Sequence, residues 1–113
     1  MEITNVLEKA LNIRGYYHKV LASNIANVET PGYKEKDIDF GAELEKSLTG
    51  STANIEVREK SNPSGIDGID GNSVTMEDQI VKMTENTMMF NAFVQLINKK
   101  FSMLRYAISE GRR

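Results

Sequence analysis

Apolar residues recur along the last third of the chain at steps of four and three: Met76, Ile80, Met83, Phe90, Val94, Ile97, Phe101, Leu104 and Ile108, with Thr87 alone out of pattern. Such steps place side chains on one face of a helix. A repeat of about 3.5 residues favours a left-handed supercoil against a second helix. No Pro or Gly falls between Met76 and Ile108, so nothing local breaks the helix. Its length of about 50 Å predicts a rod rather than a ball.

The start of this helix is legible. Asp70-Gly71-Asn72-Ser73 is turn chemistry. Thr75 fits an N-cap, with Asp78 three residues on as a weak capping box. Glu77 and Asp78 suit the positive end of the helix dipole, and Lys99, Lys100 and Arg105 lie in the half that suits cations. Gly111 marks an end. With Ile80, Val94 and Phe101 at heptad position a and Met83, Phe90 and Ile97 at d, Phe93 and Ala107 fall at g and Met89, Leu96 and Met103 at c. Together these positions cover roughly 160° of the wheel, wider than a two-stranded seam. One partner helix cannot cover that arc. The rest must meet further helices of this chain or other molecules.

A second helix is predicted over residues 3–28. Ile3, Leu7, Ala10, Tyr17, Leu21 and Val28 keep the same steps, and Arg14 and Asn24 fill the two gaps. These gaps are either ordinary polar interruptions or, at Asn24, a register-fixing polar residue in an apolar seam. Gly15 weakens the helix by about 1 kcal/mol relative to Ala, so the isolated segment is poorly helical and needs a partner. The helix stops at Asn27-Val28-Glu29-Thr30-Pro31-Gly32-Tyr33. Pro31 pushes Thr30 towards an extended conformation, and Pro31-Gly32 fits the centre of a type II turn. Asn24 and Asn27 lie one turn apart before the break. They either cap free carbonyls locally or hydrogen-bond a neighbouring chain.

The middle is different in kind. Residues 41–48 suit a short helix with Leu44 and Leu48 on one side, and Ile55-Glu56-Val57 alternates like a short strand. The remainder is rich in Ser, Thr, Asn, Gly and Asp and reads as loop, with turn material at Asn62-Pro63-Ser64-Gly65 and a short Gly-Ile-Asp echo at 65–70. The fold expected is all-α: long N- and C-terminal helices packed as an antiparallel, coiled-coil-like pair, joined by a loop-rich, partly disordered middle. Its three parts are residues 1–33, 34–72 and 73–113.

Composition narrows the function. The chain has 113 residues, 40% apolar and 27% charged, with net charge −2 and no Cys. Slight acidity argues against a nucleic-acid partner. Without Cys there is neither a disulfide framework nor a thiolate metal site. No apolar run reaches bilayer length, and the N-terminus lacks the pattern of a cleaved secretory signal. The Asp/Gly cluster does not scan as a calcium loop: counted from Asp67 the third position is Ile69, and counted from Asp70 the sixth is Thr75. His18 stands alone, so no His-rich metal site or Cys-His pair forms. No phosphate-binding Gly loop or nucleophile elbow is present. An enzyme, a cofactor and a small-molecule substrate are therefore not expected. Met76, Met83, Met88, Met89 and Met103 crowd the last helix, as core filler or as an adaptable face for unlike neighbours.

Ala22-Ser23-Asn24-Ile25-Ala26-Asn27-Val28-Glu29-Thr30-Pro31-Gly32-Tyr33-Lys34 resembles the N-terminal signature of bacterial flagellar rod and hook proteins. The continuation Glu35-Lys36-Asp37-Ile38-Asp39-Phe40, the stretch Asp70-Gly71-Asn72-Ser73-Val74 and the end of the last helix, Asn98-Lys99-Lys100-Phe101-Ser102-Met103-Leu104-Arg105, are similar to the basal-body proximal rod proteins of the FlgB type. The resemblance implies a structural subunit that assembles with itself and other rod proteins into the drive shaft for motility. It implies contact with basal-body adaptor and membrane-ring proteins, and export through the flagellar type III apparatus without signal cleavage. It makes Asn24, Asn27, Thr30, Pro31, Gly32 and Tyr33 the signature and assembly residues. Packing and subunit contact are expected of Leu7, Tyr17, Leu21, Val28, Ile80, Met83, Phe90, Val94, Ile97, Phe101 and Leu104. The rival readings are a soluble helical-hairpin adaptor for one partner helix and a small enzyme or metal protein on a helical scaffold.

Overall fold

Helix α1, Glu2–Ala26, carries two buried stripes that face different neighbours. The computed structural model describes residues 2–50, 54–60 and 75–111. One stripe follows Leu7, Ala10 and Leu21, as the spacing predicts. The other, Ile13 and Val20, packs with Ile38 and with half-buried Tyr17, Phe40, Leu44 and Ile55. The chain is thus built around its first helix and not, as the length of the apolar repeat suggests, around its last. The partner that a weak α1 requires is supplied twice, by the last helix and by the middle segment.

The middle segment folds back on α1 through β1 (Lys36–Asp37), α2 (Phe40–Leu48) and β2 (Arg58–Glu59). The strands pair antiparallel, Lys36 opposite Glu59 and Asp37 opposite Arg58. Asp39 caps α2, its carboxylate accepting from the Ala42 N–H at 3.1 Å. Lys9 reaches from α1 to donate to the Ser47 carbonyl at 2.8 Å, a cation at the negative end of α2. The strand expected at 55–57 begins instead at Arg58. Ile55 packs into the core, and the Glu56 N–H donates to the Glu43 carboxylate at 2.8 Å, so it is not free for a ladder. The turns expected at 62–65 and 70–73 and the Gly-Ile-Asp echo lie outside the described residues.

Helix α3, Met76–Gly111, runs antiparallel to α1. Asn24 meets Gln79 near the start of α3, while Arg14, earlier on α1, meets Asn86, later on α3. The 36 residues of α3 outrun the 25 of α1, and the molecule measures 70 × 28 × 20 Å, a rod as expected. The seam is rotated from the register read in the sequence. Met83, Phe90, Val94, Ile97 and Leu104 are half-buried, while Ile80 is 51% and Phe101 46% exposed. Gln79 and Asn86, each one position before Ile80 and Thr87 of that register, are buried instead. Val28 falls in the turn after α1, because the helix ends at Ala26.

Candidate functional site

The signature segment is a helix end tied to a turn. Asn27 caps the last turn of α1: its Nδ2 donates to the Ser23 carbonyl at 2.8 Å, and its Oδ1 accepts from the Thr30 hydroxyl at 3.1 Å. The Tyr33 N–H closes the turn on the Thr30 carbonyl at 3.2 Å, with Gly32 at φ 77°. That positive φ at the third position, after Pro31, is the type II arrangement.

Asn24 is fully buried between α1, β1 and α3. Its Nδ2 donates to the Lys36 carbonyl at 2.9 Å and to Gln79 Oε1 at 3.0 Å. Its Oδ1 accepts from the Lys36 N–H at 3.0 Å and from the Tyr33 hydroxyl at 3.1 Å. Two donors and two acceptors exhaust an amide side chain. Asn24 therefore acts within the chain, and no bond is left for a neighbour. By matching both backbone groups of Lys36 it takes the place of a third strand beside β1. One residue thus fixes the turn, the ladder and the height of α3 against α1.

Two polar contacts flank this residue. Glu35, buried, pairs with Lys82 of α3 and lies 3.9 Å from Lys60 Nζ. Burial works against the Lys82 ammonium, but its hydrogen bond to Glu35 holds its pKa above the usual lysine value. Burial, and then the Asp37 carboxylate, raise the pKa of the nearby Tyr17 hydroxyl. On the other side Arg14 Nη1 donates to Asn86 Oδ1 at 3.3 Å. Beside that pair a cleft of about 320 Å³ opens between the helices, lined by Gly15, exposed His18, Thr87 and Phe90. These polar groups bind one another. Among the described residues, no three His, Cys, Asp or Glu side chains are grouped to hold a metal ion.

The end of α3 carries apolar side chains outward. Past Lys100 every described residue except Leu104 and Glu110 is exposed, Phe101, Met103, Tyr106 and Ile108 included. Phe101, Leu104 and Ile108 continue the line of Phe90 and Ile97, but α1 no longer covers it.

A family model described as "Flagella basal body rod protein" matches residues 6–34, from α1 through the turn. Across nearly the whole chain the similarity is to the "Flagellar basal body rod protein FlgB" of Cereibacter sphaeroides, 35% identical over 88% of this chain and 88% of the relative. The chain belongs to the FlgB family of flagellar basal body rod proteins. The Escherichia coli K12 and Salmonella typhimurium relatives of the same description are each 28% identical over 92% of this chain and 91% of their own. The family is one of structural rod components, not of enzymes.

Seen on this family's fold, the signature residues named from sequence come together: Asn24, Asn27, Thr30, Pro31, Gly32 and Tyr33 form the end of α1 and its turn. Leu7 and Leu21 lie buried on α1, and Tyr17 is half-buried towards the middle segment. Sequence reasoning missed Gln79, Asn86, Ile13, Val20 and Ile38. Arg14 and Asn24, polar gaps in one stripe, were the available signal: buried polar groups require polar partners, and Gln79 and Asn86 fit that need.

Proposed function

We propose that the chain is a self-assembling subunit of the flagellar rod, joined to its neighbours where the α3 seam outruns α1. The observation that carries this reading is the run Phe101, Leu104, Ile108. These residues continue an intramolecular seam past the end of the helix that covers it. Apolar surface of this kind gains about 25 cal/mol per Å² on leaving water, and a lone helix end is marginal without packing. A neighbouring copy that lays a helix along this seam would complete it. Repetition of the contact builds a shaft, because a contact between unlike patches extends into an open helix wherever its rotation does not close a ring.

The family supports a place in the basal body. The drive-shaft role, contact with adaptor and membrane-ring proteins, and export through the flagellar type III apparatus follow from that place. The test is a strain that lacks this gene, complemented with the wild-type chain or with Phe101→Asp. The substitution sits on exposed surface, so the subunit still folds, but a charge enters the proposed joint. Isolated basal bodies should lack the rod with the variant and regain it with wild type. Normal rods from the variant at normal protein level would overturn this joint.

A further inference from the structure

A second apolar face runs along the back of α3, away from α1, and its residues are ordered about a centre. From Ala92, equal steps in the two directions pair Met88 with Leu96, Glu85 with Lys99, and Val81 with Met103. The steps between successive members are three or four residues, which keeps them on one side of the helix. All seven are exposed, Met88 by 67% and Met103 by 59%. Apolar therefore meets apolar, and acid meets base, when the helix is laid against a copy of itself turned end for end. Self-complementarity of this sort is what a two-fold contact between identical surfaces requires.

We propose that two copies of this chain pair antiparallel through the back of α3, crossing at Ala92. The small side chain at the axis lets the helices approach closely. Val81, Met88, Leu96 and Met103 of each copy supply the buried surface. Glu85 and Lys99 form two symmetry-related ion pairs that fix direction and register more than strength. The parallel alternative in the same register sets Glu85 against Glu85 and Lys99 against Lys99, and like charges oppose it. This contact goes beyond the rod reading. A two-fold contact closes at two copies and cannot extend into a polar shaft, so it defines a soluble state that must open before assembly. It also uses a different face from Phe101, Leu104 and Ile108.

The test uses the full chain, which has no Cys of its own. Ala92→Cys places identical thiols at the two-fold axis and should oxidise to a disulfide-linked pair. Asn12→Cys, exposed on α1, should form no disulfide link between copies under the same conditions. Sedimentation of the wild type should show two copies at raised concentration. E85K and K99E should each lose the pair, and the double variant E85K/K99E should regain it, with helical content unchanged throughout. The proposal is overturned if the axial thiol links no faster than the control, if the wild type sediments as one chain at every concentration, or if the double variant stays monomeric. Rod formation by Phe101→Asp bears only on the other face, so the two readings fail separately.

Discussion

Arg14 and Asn86 hold each other in both directions. The guanidinium donates to Asn86 Oδ1 at 3.3 Å, and Asn86 Nδ2 donates to the Arg14 carbonyl at 2.9 Å. The same guanidinium lies 4.1 Å over the Phe40 ring, and Phe40 stacks on Phe93 at 6.4 Å between ring centroids. One arginine thereby joins α1, α2 and α3. Asn86→Leu removes both hydrogen bonds and leaves a partly buried cation without its acceptor. The expected loss is about 2 kcal/mol, read as a lower urea midpoint at unchanged slope. A loss below about 0.5 kcal/mol, the usual range for a surface substitution, would show that the pair is incidental.

Much of this architecture is written in residue spacing, and the parts that are not share a cause. Periodicity finds apolar faces, so both long helices are legible, and the chemistry of Pro31-Gly32 marks the turn that follows α1. It is blind to polar residues that are buried because they face each other. On α3 the series passes through Ile80 and Thr87, yet the helix turns Gln79 and Asn86 inward to meet Asn24 and Arg14. The desolvation of those α1 groups outweighs the gain from burying Ile80. Ile38 was hidden for another reason. It sits among charged neighbours in a stretch that reads as loop, and only the ladder to Arg58 and Glu59 turns it towards α1.

The bonding of Asn24 predicts an order among substitutions. Asn24→Ala leaves Gln79 Oε1, the Tyr33 hydroxyl and both backbone groups of Lys36 without this partner, at an expected cost of about 3 kcal/mol. Asn24→Asp keeps the shape but replaces two donors with an oxygen that faces the Lys36 carbonyl and Gln79 Oε1. At neutral pH it should cost more than the alanine variant, because an unpaired charge is buried. Denaturant melts of the two variants check this. An aspartate variant at least as stable as the alanine variant would contradict the four-bond arrangement.

Glu43 sets an acid limit on the middle segment. The hydrogen bond from Lys46 and the Glu56 N–H hold its carboxyl below the usual value of 4.5. A group whose folded pKa is depressed adds stability above its unfolded pKa and loses it as pH falls through the folded one. The hold of Glu43 on residues 54–56 should therefore be complete above about pH 4.5 and fail below it. The Glu56 amide resonance should titrate in that lower range. Glu43→Gln can still accept the hydrogen bond but carries no charge, so its Glu56 resonance should move less with pH than that of the wild type. A wild-type resonance that moves no more than the variant's would rule out this coupling.

Gly32 isolates a purely conformational cost. Its φ is 77°, and a Cβ added there would meet nothing within 4 Å. Any substitution is therefore penalised by the backbone and not by a clash with neighbours. An L-residue in this region costs roughly 1–2 kcal/mol. Asn tolerates it best, and a β-branched side chain tolerates it least. Gly32→Asn should be mild, Gly32→Ala intermediate and Gly32→Val worst in thermal melts. The strain should reach further than the turn, because Tyr33 follows directly and its hydroxyl donates to Asn24 at 3.1 Å. In the valine variant the Tyr33 ring should become more exposed, visible as a change in its assigned ring NMR resonances, while the asparagine variant keeps the wild-type signal. Equal costs for Asn and Val would mean that the turn does not depend on a left-handed residue at this position.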